Sequence, residues 1–245
     1  MSYFNLIKLD ATPSSNDWLK DRFVSGDCSD GDVVWVRNQT QGRGQRDKLW
    51  QTEPMKNLTF SLFKFFPKLT VQNAFAINCA ITLGVLKALH EFADLDLSLK
   101  WPNDILSGKS KIGGVLIENM IKGNRINASI IGIGININQE HFEGLPHASS
   151  LFQKTGSKLE IGEVLNSILV FLEVYLDRLT TDSSAALRSE YEALLFQKGK
   201  LSTFKNHKGK FQGVIQGVTD SGLLRIQKTS GEVFNYAHGA IEMIF

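Results

Sequence analysis

Residues 97–138 read LSLKWPNDILSGKSKIGGVLIENMIKGNRINASIIGIGININ, and they hold the clearest structural pattern in the chain. Three apolar runs predict three β-strands, at residues 97–101, 112–119 and 125–137. Turn-forming glycines at Gly108 and Gly123 separate these runs and predict that neighbouring strands join as hairpins. The middle of the chain is therefore predicted to form a mixed or antiparallel sheet.

Elements on either side of this stretch complete an α+β domain. Further strands are predicted at residues 4–9, 33–36 and 58–66. Apolar residues at helical spacing predict helices at residues 18–23, 77–92, 165–179 and 185–195. We therefore expect a sheet with flanking helices over residues 1–195. Beyond that point, short β-prone runs between turn signals predict a small all-β barrel over residues 196–245.

The composition indicates a soluble globular protein. The 245 residues are 42% hydrophobic and 21% charged, with a net charge of +2. A charge so close to zero gives no reason to expect DNA binding. Only two cysteines, Cys28 and Cys79, argue against a disulfide framework. The N-terminus lacks the pattern of a signal peptide, and we expect no window to approach the roughly 18 apolar residues of a membrane helix. These features predict a cytoplasmic protein.

A polar loop between the second and third predicted strands carries the first functional pattern. Residues 39–50 read QTQGRGQRDKLW. Gly42 and Gly44 let backbone N–H groups approach an anion closely, while Arg43 and Arg46 supply positive charge. The alternative is a solvated surface loop without a ligand.

A Lys-Trp-Pro-Asn-Asp segment at residues 100–104 is the second pattern. Pro102 cannot continue a central strand, so the chain is predicted to leave the sheet there and to present Asn103 and Asp104 at its end. An ordinary turn would explain the last three residues, but it would give the preceding lysine and tryptophan no role.

Two glycine-containing strands supply the remaining patterns. Residues 111–118 read KIGGVLIE, in which the Gly-Gly pair after Lys111 indicates close approach of a ligand to bare backbone, with a β-bulge as the alternative. Residues 132–138 read GIGININ, where small, apolar and amide residues alternate as though one face received a flat heterocycle. A glycine-weakened core strand is the alternative there, and the segment does not match a dinucleotide-binding fingerprint.

Together and in this order, the four patterns resemble the biotin protein ligase family. That family has a Gly-Arg-Gly loop, a Lys-Trp-Pro-Asn-Asp segment, a Lys-x-Gly-Gly strand and a Gly-x-Asn strand. Residues 14–16 (SSN) are also similar to its Ser-Thr-Asn element. The resemblance covers nearly the whole chain, and it implies a class II synthetase-like sheet followed by an SH3-like β barrel.

The resemblance implies a role for each matching residue. Biotin would be bound by Ser14, Ser15, Asn16, Gln39, Gly42, Arg43, Gly44, Gln45, Lys111 and Gly114. ATP would be bound by Arg43, Arg46, Trp50, Asn103, Asp104, Lys111 and Asn136. The catalytic residues would be Arg43, Lys111 and Asp104, with Lys111 at the reacting carboxyl-phosphate centre.

Two positions depart from the family pattern, which has Arg at position 45 and Gly at position 47. This chain has Gln45 and Asp47 there. Gln45 removes one positive charge from the loop, and Arg46 and Lys48 are the candidates to replace it. Asp47 adds an anion near a site that must bind phosphates, which is unfavourable unless it is paired.

The implied activity consists of two half-reactions. ATP would convert biotin to biotinyl-5′-AMP, with Mg²⁺ held mainly through the phosphates and no metal site of the protein's own. Biotin would then be transferred to a lysine of a biotin carboxyl carrier protein domain. The resemblance also allows a homodimer.

Three other functions compete with this interpretation. The nearest is a lipoate ligase or acyltransferase of the same fold, and the loop and Lys-Trp-Pro-Asn-Asp motifs favour biotin over it. A non-enzymatic biotin-binding module would lack ATP–pyrophosphate exchange. A DNA-binding repressor is disfavoured, because the Ser-Ser-Asn element begins almost at residue 1 and leaves no room for an N-terminal helix-turn-helix domain.

Overall fold

The computed structural model describes residues 3–46 and 48–244, so the expectation about Asp47 lies outside the described residues. The strands are β1 (Asn5–Thr12), β2 (Asp32–Gln39), β3 (Leu58–Phe65), β4 (Leu97–Lys100), β5 (Asp104–Ser107), β6 (Ser110–Lys122), β7 (Arg125–Ile135), β8 (Leu201–Asn206), β9 (Gly209–Val218), β10 (Leu224–Lys228), β11 (Val233–Tyr236) and β12 (Glu242–Ile244). The helices are α1 (Ser15–Ser25), α2 (Phe75–His90), α3 (Leu151–Thr155), α4 (Ile161–Thr181) and α5 (Ser184–Ala193).

Seven strands form one mixed sheet in the order β1-β2-β3-β7-β6-β5-β4. Within it β1 and β2 run parallel, and the other neighbouring pairs are antiparallel. The remaining five strands form an antiparallel sheet in the order β11-β10-β9-β8-β12. The predicted α+β class, a mixed sheet with flanking helices, is confirmed. The division of the chain after residue 195 and the SH3-like barrel stay predictions.

The strand β5 and the short helix α3 have no counterpart in the sequence prediction. The expectation that the chain leaves the sheet at Pro102 is wrong, because β5 folds directly back on β4 and Asp104 pairs with Lys100. A proline in the connecting turn removes no ladder hydrogen bond. It therefore interrupts the apolar run without ending the sheet.

The two faces of the large sheet are covered by different helices. α2 and α4 pack on one face, where residues such as Phe60 and Ile133 are buried, and α5 packs against these two helices. α1 packs on the other face and buries Leu19 there. Because successive side chains of a strand point to opposite faces, Gly132 and Gly134 of β7 lie on the α1 face. Their missing side chains leave space above the sheet for a site.

Within the described residues, the segment Val71–His90 has the length and apolar composition to cross a membrane, with a mean hydropathy of 1.2. The expectation that no segment approaches this composition is therefore wrong. The segment includes α2, and 67% of its most apolar window is buried inside the protein. Its apolar character is explained by its place in the core, where it packs against the sheet and α4.

The second sheet is joined to the open edge of β4. Leu99 donates a backbone hydrogen bond to Leu194 (2.8 Å) and accepts one from Phe196 (2.9 Å), so the connecting segment covers the strand edge. The indole N–H of Trp101 donates to the Gly222 carbonyl at 2.9 Å. The β4–β5 turn and the second sheet are therefore in direct contact.

Candidate active site

A cavity of about 760 Å³ collects most of the residues predicted from the sequence. Its floor is the α1 face of the large sheet, and its walls are Gln39 with residues 43–46 and 48–51 of the loop, the β4–β5 turn and parts of the second sheet. The predicted site residues that line it are Ser14, Ser15, Asn16, Gln39, Arg43, Gly44, Gln45, Arg46, Trp50, Asn103, Asp104, Lys111, Gly114 and Asn136. The predicted patterns therefore come together in space, although they are spread over more than a hundred residues.

Gly42 is buried behind the cavity wall and does not line the cavity. Its carbonyl accepts a hydrogen bond from the Trp50 backbone N–H at 2.8 Å, which closes the base of the loop. A Cβ on Gly42 would lie 2.3 Å from the Trp50 carbonyl oxygen, so the position requires glycine. The structure gives this glycine a role in loop closure, and its predicted contact with biotin stays a prediction.

A buried pair of serines begins α1. Ser14 caps the helix, because its Oγ accepts a hydrogen bond from the Asp17 backbone N–H at 3.3 Å. The Ser15 backbone N–H donates to Gln39 Oε1 at 2.8 Å, and the Ser15 hydroxyl lies within hydrogen-bond distance of Gln39 Oε1 (2.9 Å) and Ser61 Oγ (2.7 Å). These hydrogen bonds fix a polar surface at the cavity wall, as a preorganised binding site requires.

Asn16 is held by three neighbours. Its Oδ1 accepts a hydrogen bond from Ser61 Oγ at 2.6 Å, and its Nδ2 donates to Glu118 Oε2 at 2.7 Å. A Cβ at position 132 would lie 2.4 Å from Oδ1, so Gly132 is needed to admit the side chain. One of the glycines in β7 therefore makes room for a polar group of α1.

Gly134 is the next cavity-facing residue of β7 after Gly132, and the side chain of Trp50 covers it. The indole lies against Gly134, where a Cβ would be 2.4 Å from ring atom Cε2. The indole of Trp50 therefore covers the face of β7 on which the sequence predicted a flat heterocyclic ligand, and binding of such a ligand there stays a prediction. Within residues 3–46 and 48–244, Trp50 Nε1 and Gln45 Oε1 are buried without a hydrogen-bond partner. Unpaired buried polar atoms of this kind call for a ligand or a water molecule.

Arg43 extends from the loop to two carboxylates on different elements. Its Nη2 donates to Glu118 Oε1 at 2.7 Å, and its Nη1 contacts Asp17 Oδ1. Partial burial lowers the pKa of the Arg43 guanidinium, but the bonds to Glu118 and Asp17 outweigh this effect and raise the pKa overall. The guanidinium is therefore fully charged and already bound to anions of the protein.

A β-bulge directs Lys111 toward the cavity. Leu106 pairs with Lys111 while Ile105 pairs with Gly113, so Ile112 is an extra residue in β6. The bulge was the structural alternative to a ligand-binding role for the glycine pair. Here a bulge and a cavity-lining lysine occur together, as bulges next to active sites often do.

Lys111 belongs to a charged corner of the cavity. Its Nζ lies 2.6 Å from Asp104 Oδ1 and 5.5 Å from the centroid of the Trp50 ring. Lys100 also lines this corner, where burial lowers its pKa; the charge of Lys111 lowers the pKa further and that of Asp104 opposes the shift. Two cationic side chains and one carboxylate at this corner favour an anionic ligand.

The two asparagines predicted to bind ATP each donate a hydrogen bond to a backbone carbonyl. Asn103 Nδ2 donates to the Val115 carbonyl, and Asn136 Nδ2 donates to the Ser149 carbonyl at 2.9 Å. Both side chains line the cavity. Their amides are thus held in one orientation at its edge.

Several residues that orient the predicted ones were not foreseen from the sequence. Glu118 had no assigned role, although it stands four residues after Gly114 on the same strand face. Ser61 pairs in register with Gly132 and lies opposite the glycine strand. Strand alternation could have found both. Asp17 gave no signal beyond being an acidic residue in the first turn of a helix.

The second sheet and its turns contribute wall residues that belong to none of the predicted site motifs. Lys205, His207 and His238 line the cavity. Arg46 Nη2 donates to the His238 carbonyl at 2.6 Å, which ties the loop to the second sheet. Burial, and then the charge of Arg46, lowers the pKa of His238. These contacts link parts of the chain 192 residues apart, so local sequence patterns could not reveal them.

A sequence profile of the biotin/lipoate A/B protein ligase family matches residues 9–136, just over half of the chain. The match includes all the predicted site residues of the large sheet and the loop. The chain belongs to this family of protein ligases.

Several relatives of the chain are named as biotin ligases. It is 28% identical to the biotin protein ligase from Aquifex aeolicus in complex with biotin and ATP, with a TM-score of 0.82 over 98% of each chain. It is 26% identical to the biotin–[acetyl-CoA-carboxylase] ligase of Paracoccus denitrificans, covering 81% of this chain and 85% of that one. It is 27% identical to the bifunctional ligase/repressor BirA of Bacillus subtilis, covering 89% of this chain and 68% of that one.

Proposed function

We propose that this protein is a biotin–protein ligase, which activates biotin with ATP and transfers it to a lysine of a biotin carboxyl carrier protein. One observation carries the proposal. A single cavity joins the hydrogen-bonded Ser-Ser-Asn turn at 14–16, the loop cation Arg43 and the Lys111–Asp104 pair. This arrangement of polar and charged groups in one cavity suits a ligand with a polar ring at one end and a reacting carboxylate at the other.

The Ser-Ser-Asn turn favours biotin over lipoate as the ligand, and the family includes ligases of both kinds. A ureido ring offers one carbonyl acceptor and two N–H donors, matching hydroxyl and amide side chains such as Ser15 and Asn16. The dithiolane ring of lipoate has no donor of this kind, and the buried polar groups would gain little from it. The similar structure from Aquifex aeolicus is a biotin protein ligase in complex with biotin and ATP, and the relative from Paracoccus denitrificans is named a biotin–[acetyl-CoA-carboxylase] ligase.

In the first half-reaction, a biotin carboxylate oxygen attacks the α-phosphorus of ATP, and pyrophosphate leaves. Negative charge gathers on the transferring phosphoryl oxygens. We assign Arg43 and Lys111 to stabilise this charge, since both present cationic groups to the cavity. Trp50 and Asn136 would bind the adenine, and Asn103 would lie near the phosphates.

A Mg²⁺ ion would accompany ATP. In the described part of the chain, no group of three or more His, Cys, Asp or Glu side chains is arranged to hold a metal ion. Magnesium bound with nucleotides is typically held by phosphates and one or two carboxylates. The cavity fits this requirement through Asp104, and the ion would neutralise phosphate charge there.

In the second half-reaction, the amine of the acceptor lysine attacks the carbonyl carbon of the mixed anhydride, and AMP leaves. The amine must lose a proton, and we assign Asp104 to accept it or to orient the amine. Because Asp104 lies 2.6 Å from Lys111, the carboxylate is held next to the reacting centre. Closure of the loop would also keep water from the anhydride. We place this activity in the cytoplasm.

The test is a transfer assay with a defined carrier. The protein is incubated with ATP, Mg²⁺, biotin and a biotin carboxyl carrier domain, and the carrier mass is measured. We expect the carrier to gain one biotinyl group, and a carrier whose acceptor lysine is replaced by arginine to gain none. A gain with lipoate and none with biotin would establish the alternative function. Absence of biotin-dependent ATP–pyrophosphate exchange would refute the ligase chemistry.

A further inference from the structure

Glu118 connects two parts of the cavity wall that belong to separate sequence motifs. It lies on β6, with its side chain 24% exposed. Its Oε2 accepts from the Asn16 amide at 2.7 Å, and its Oε1 accepts from Arg43 at 2.7 Å. One carboxylate therefore bridges the polar turn of α1 and the cation of the loop.

The Asn16 side chain depends on this bridge for its orientation. Ser61 donates to its Oδ1, Glu118 accepts from its Nδ2, and Gly132 leaves space for the amide. Exchanging the amide oxygen and nitrogen would place two acceptors against each other at Glu118, whereas the Ser61 hydroxyl can either donate or accept. The acceptor at Glu118 therefore determines which amide atoms the cavity receives from Asn16.

The Arg43 side chain is held by carboxylates of the protein. Asp17 and Glu118 both contact its guanidinium, and these two side chains are 43% and 24% exposed. An anionic group that binds Arg43 must displace at least one of them. Partly exposed ion pairs of this kind are weak enough to exchange for a ligand anion.

We propose that Glu118 is a positioning residue with two effects. It orients Asn16 for the neutral ring of the ligand, and it holds Arg43 until the anionic group of a ligand takes the place of the Glu118 carboxylate. This inference rests on the proposed function, because it takes biotin as the ligand. Binding of the neutral biotin amide would depend on the orientation of Asn16 alone, whereas binding of biotin would depend also on the release of Arg43. The affinities of the two ligands therefore separate the two effects.

The experiment compares the Kd values of biotin and biotin amide by calorimetry. In Glu118→Gln the side-chain oxygen can still accept from Asn16, and the negative charge that faces Arg43 is removed. We expect biotin to bind about 3- to 5-fold more tightly, the scale of one partly exposed ion pair, and biotin amide to change less than about 2-fold. Asp17→Asn should act in the same direction, because it also frees Arg43 but leaves Asn16 untouched.

The variant Glu118→Ala removes the acceptor as well as the charge. We expect biotin amide to bind about 10-fold more weakly, because the Asn16 amide loses a buried partner. The control is Glu173→Gln, an exposed carboxylate on α4, which should change neither affinity. Melting temperatures measured alongside report whether each variant is folded.

Two results would overturn the proposal. If Glu118→Gln leaves the ratio of the two Kd values at the wild-type level, Glu118 does not hold Arg43 against the ligand. If Glu118→Ala and Glu118→Gln weaken both ligands equally and lower the melting temperature together, the residue has a structural role alone. Failure of the proposed function is distinct from both, since the wild-type protein would then bind neither ligand.

Discussion

The indole of Trp50 lies against the backbone of Gly134, and it leaves no room for a side chain there. A Cβ on Gly134 would lie 2.4 Å from Cε2 and 2.6 Å from Nε1 of the ring. The same ring has Lys111 Nζ 5.5 Å from its centroid. The glycine therefore sets the position of an aromatic ring that neighbours the proposed catalytic lysine.

We predict that Gly134→Ala weakens ATP binding and slows adenylate formation, by about 10-fold or more. The added methyl group must push the indole away from the sheet, and overpacking at such a contact costs about 1–3 kcal/mol. ATP affinity by calorimetry and single-turnover adenylation by quench flow are the measurements.

The matched control is Gly162→Ala on α4, where an added Cβ would lie 3.9 Å from its nearest neighbour, Cη2 of Trp35. That variant should bind ATP normally. If the clash with Trp50 is the cause, Trp50→Ala should make the further change Gly134→Ala nearly silent, so that the two effects are non-additive. Additive losses would show that Gly134 acts through something other than the indole.

Replacement of Lys111 tests charge stabilisation at the reacting centre. We predict that Lys111→Ala slows adenylate formation by about 10²–10³-fold, the usual effect of losing one preorganised charge-stabilising donor. Single-turnover adenylation measures it. Lys109→Ala, at the exposed β5–β6 turn, is the control and should react at the wild-type rate. If a folded Lys111→Ala protein forms the adenylate at the wild-type rate, the Lys111 ammonium does not stabilise the reacting centre.

The strands of the large sheet could be predicted from the sequence more completely than the contacts between side chains of the candidate active site. Apolar runs and glycine turns indicated β6 and β7, because a buried strand leaves a strong local signal. The pair formed by Lys111 and Asp104 depends on β5 folding back on β4, and Pro102 concealed that hairpin. The two residues were therefore predicted in separate motifs, and their 2.6 Å contact was not foreseen.

Residues that orient others were the hardest to predict. Ser61 and Glu118 contact Asn16 from sequence distances of 45 and 102 residues, so neither contact has a local pattern. Motif residues were found because their types are unusual where they stand, such as glycines within a strand. An ordinary serine or glutamate on a strand carries no such mark, and register alone brings it to the site.

The loop at residues 42–50 provides a test by proteolysis. Its glycine and polar content predicts that it opens without ligand and is ordered by biotinyl-adenylate. Trypsin should therefore cut after Arg43, Arg46 or Lys48 in the free protein, and biotin with ATP should suppress these cuts. Cleavage after Lys122, at the exposed β6–β7 turn, is the internal control and should not change. Equal loop cleavage in both conditions would contradict ordering by ligand.

The second sheet supplies the last prediction, which concerns the protein substrate. Between residues 198 and 228 the basic residues are Lys198, Lys200, Lys205, Lys208, Lys210, Arg225 and Lys228, and the acidic one is Asp220. Lys205 and Lys210 are exposed and directly opposite each other on β8 and β9, an arrangement of like charges that does not favour stability. Lys205 also lines the cavity. These charges would instead attract an acidic carrier domain and raise the rate of encounter.

We therefore predict that reversing the charge of Lys205, Lys208 and Lys210 to glutamate slows biotin transfer to the carrier by about 10-fold at low salt, and slows adenylate formation much less. Added salt should slow transfer in the wild-type protein and have little further effect in the variant, because screening removes the same attraction. The control reverses three exposed lysines elsewhere, Lys20, Lys87 and Lys122, giving the same net charge. If both triple variants lose transfer activity equally, the change in net charge is the cause. If the variant at Lys205, Lys208 and Lys210 transfers biotin as fast as the wild-type protein at low salt, the second sheet is not the docking surface.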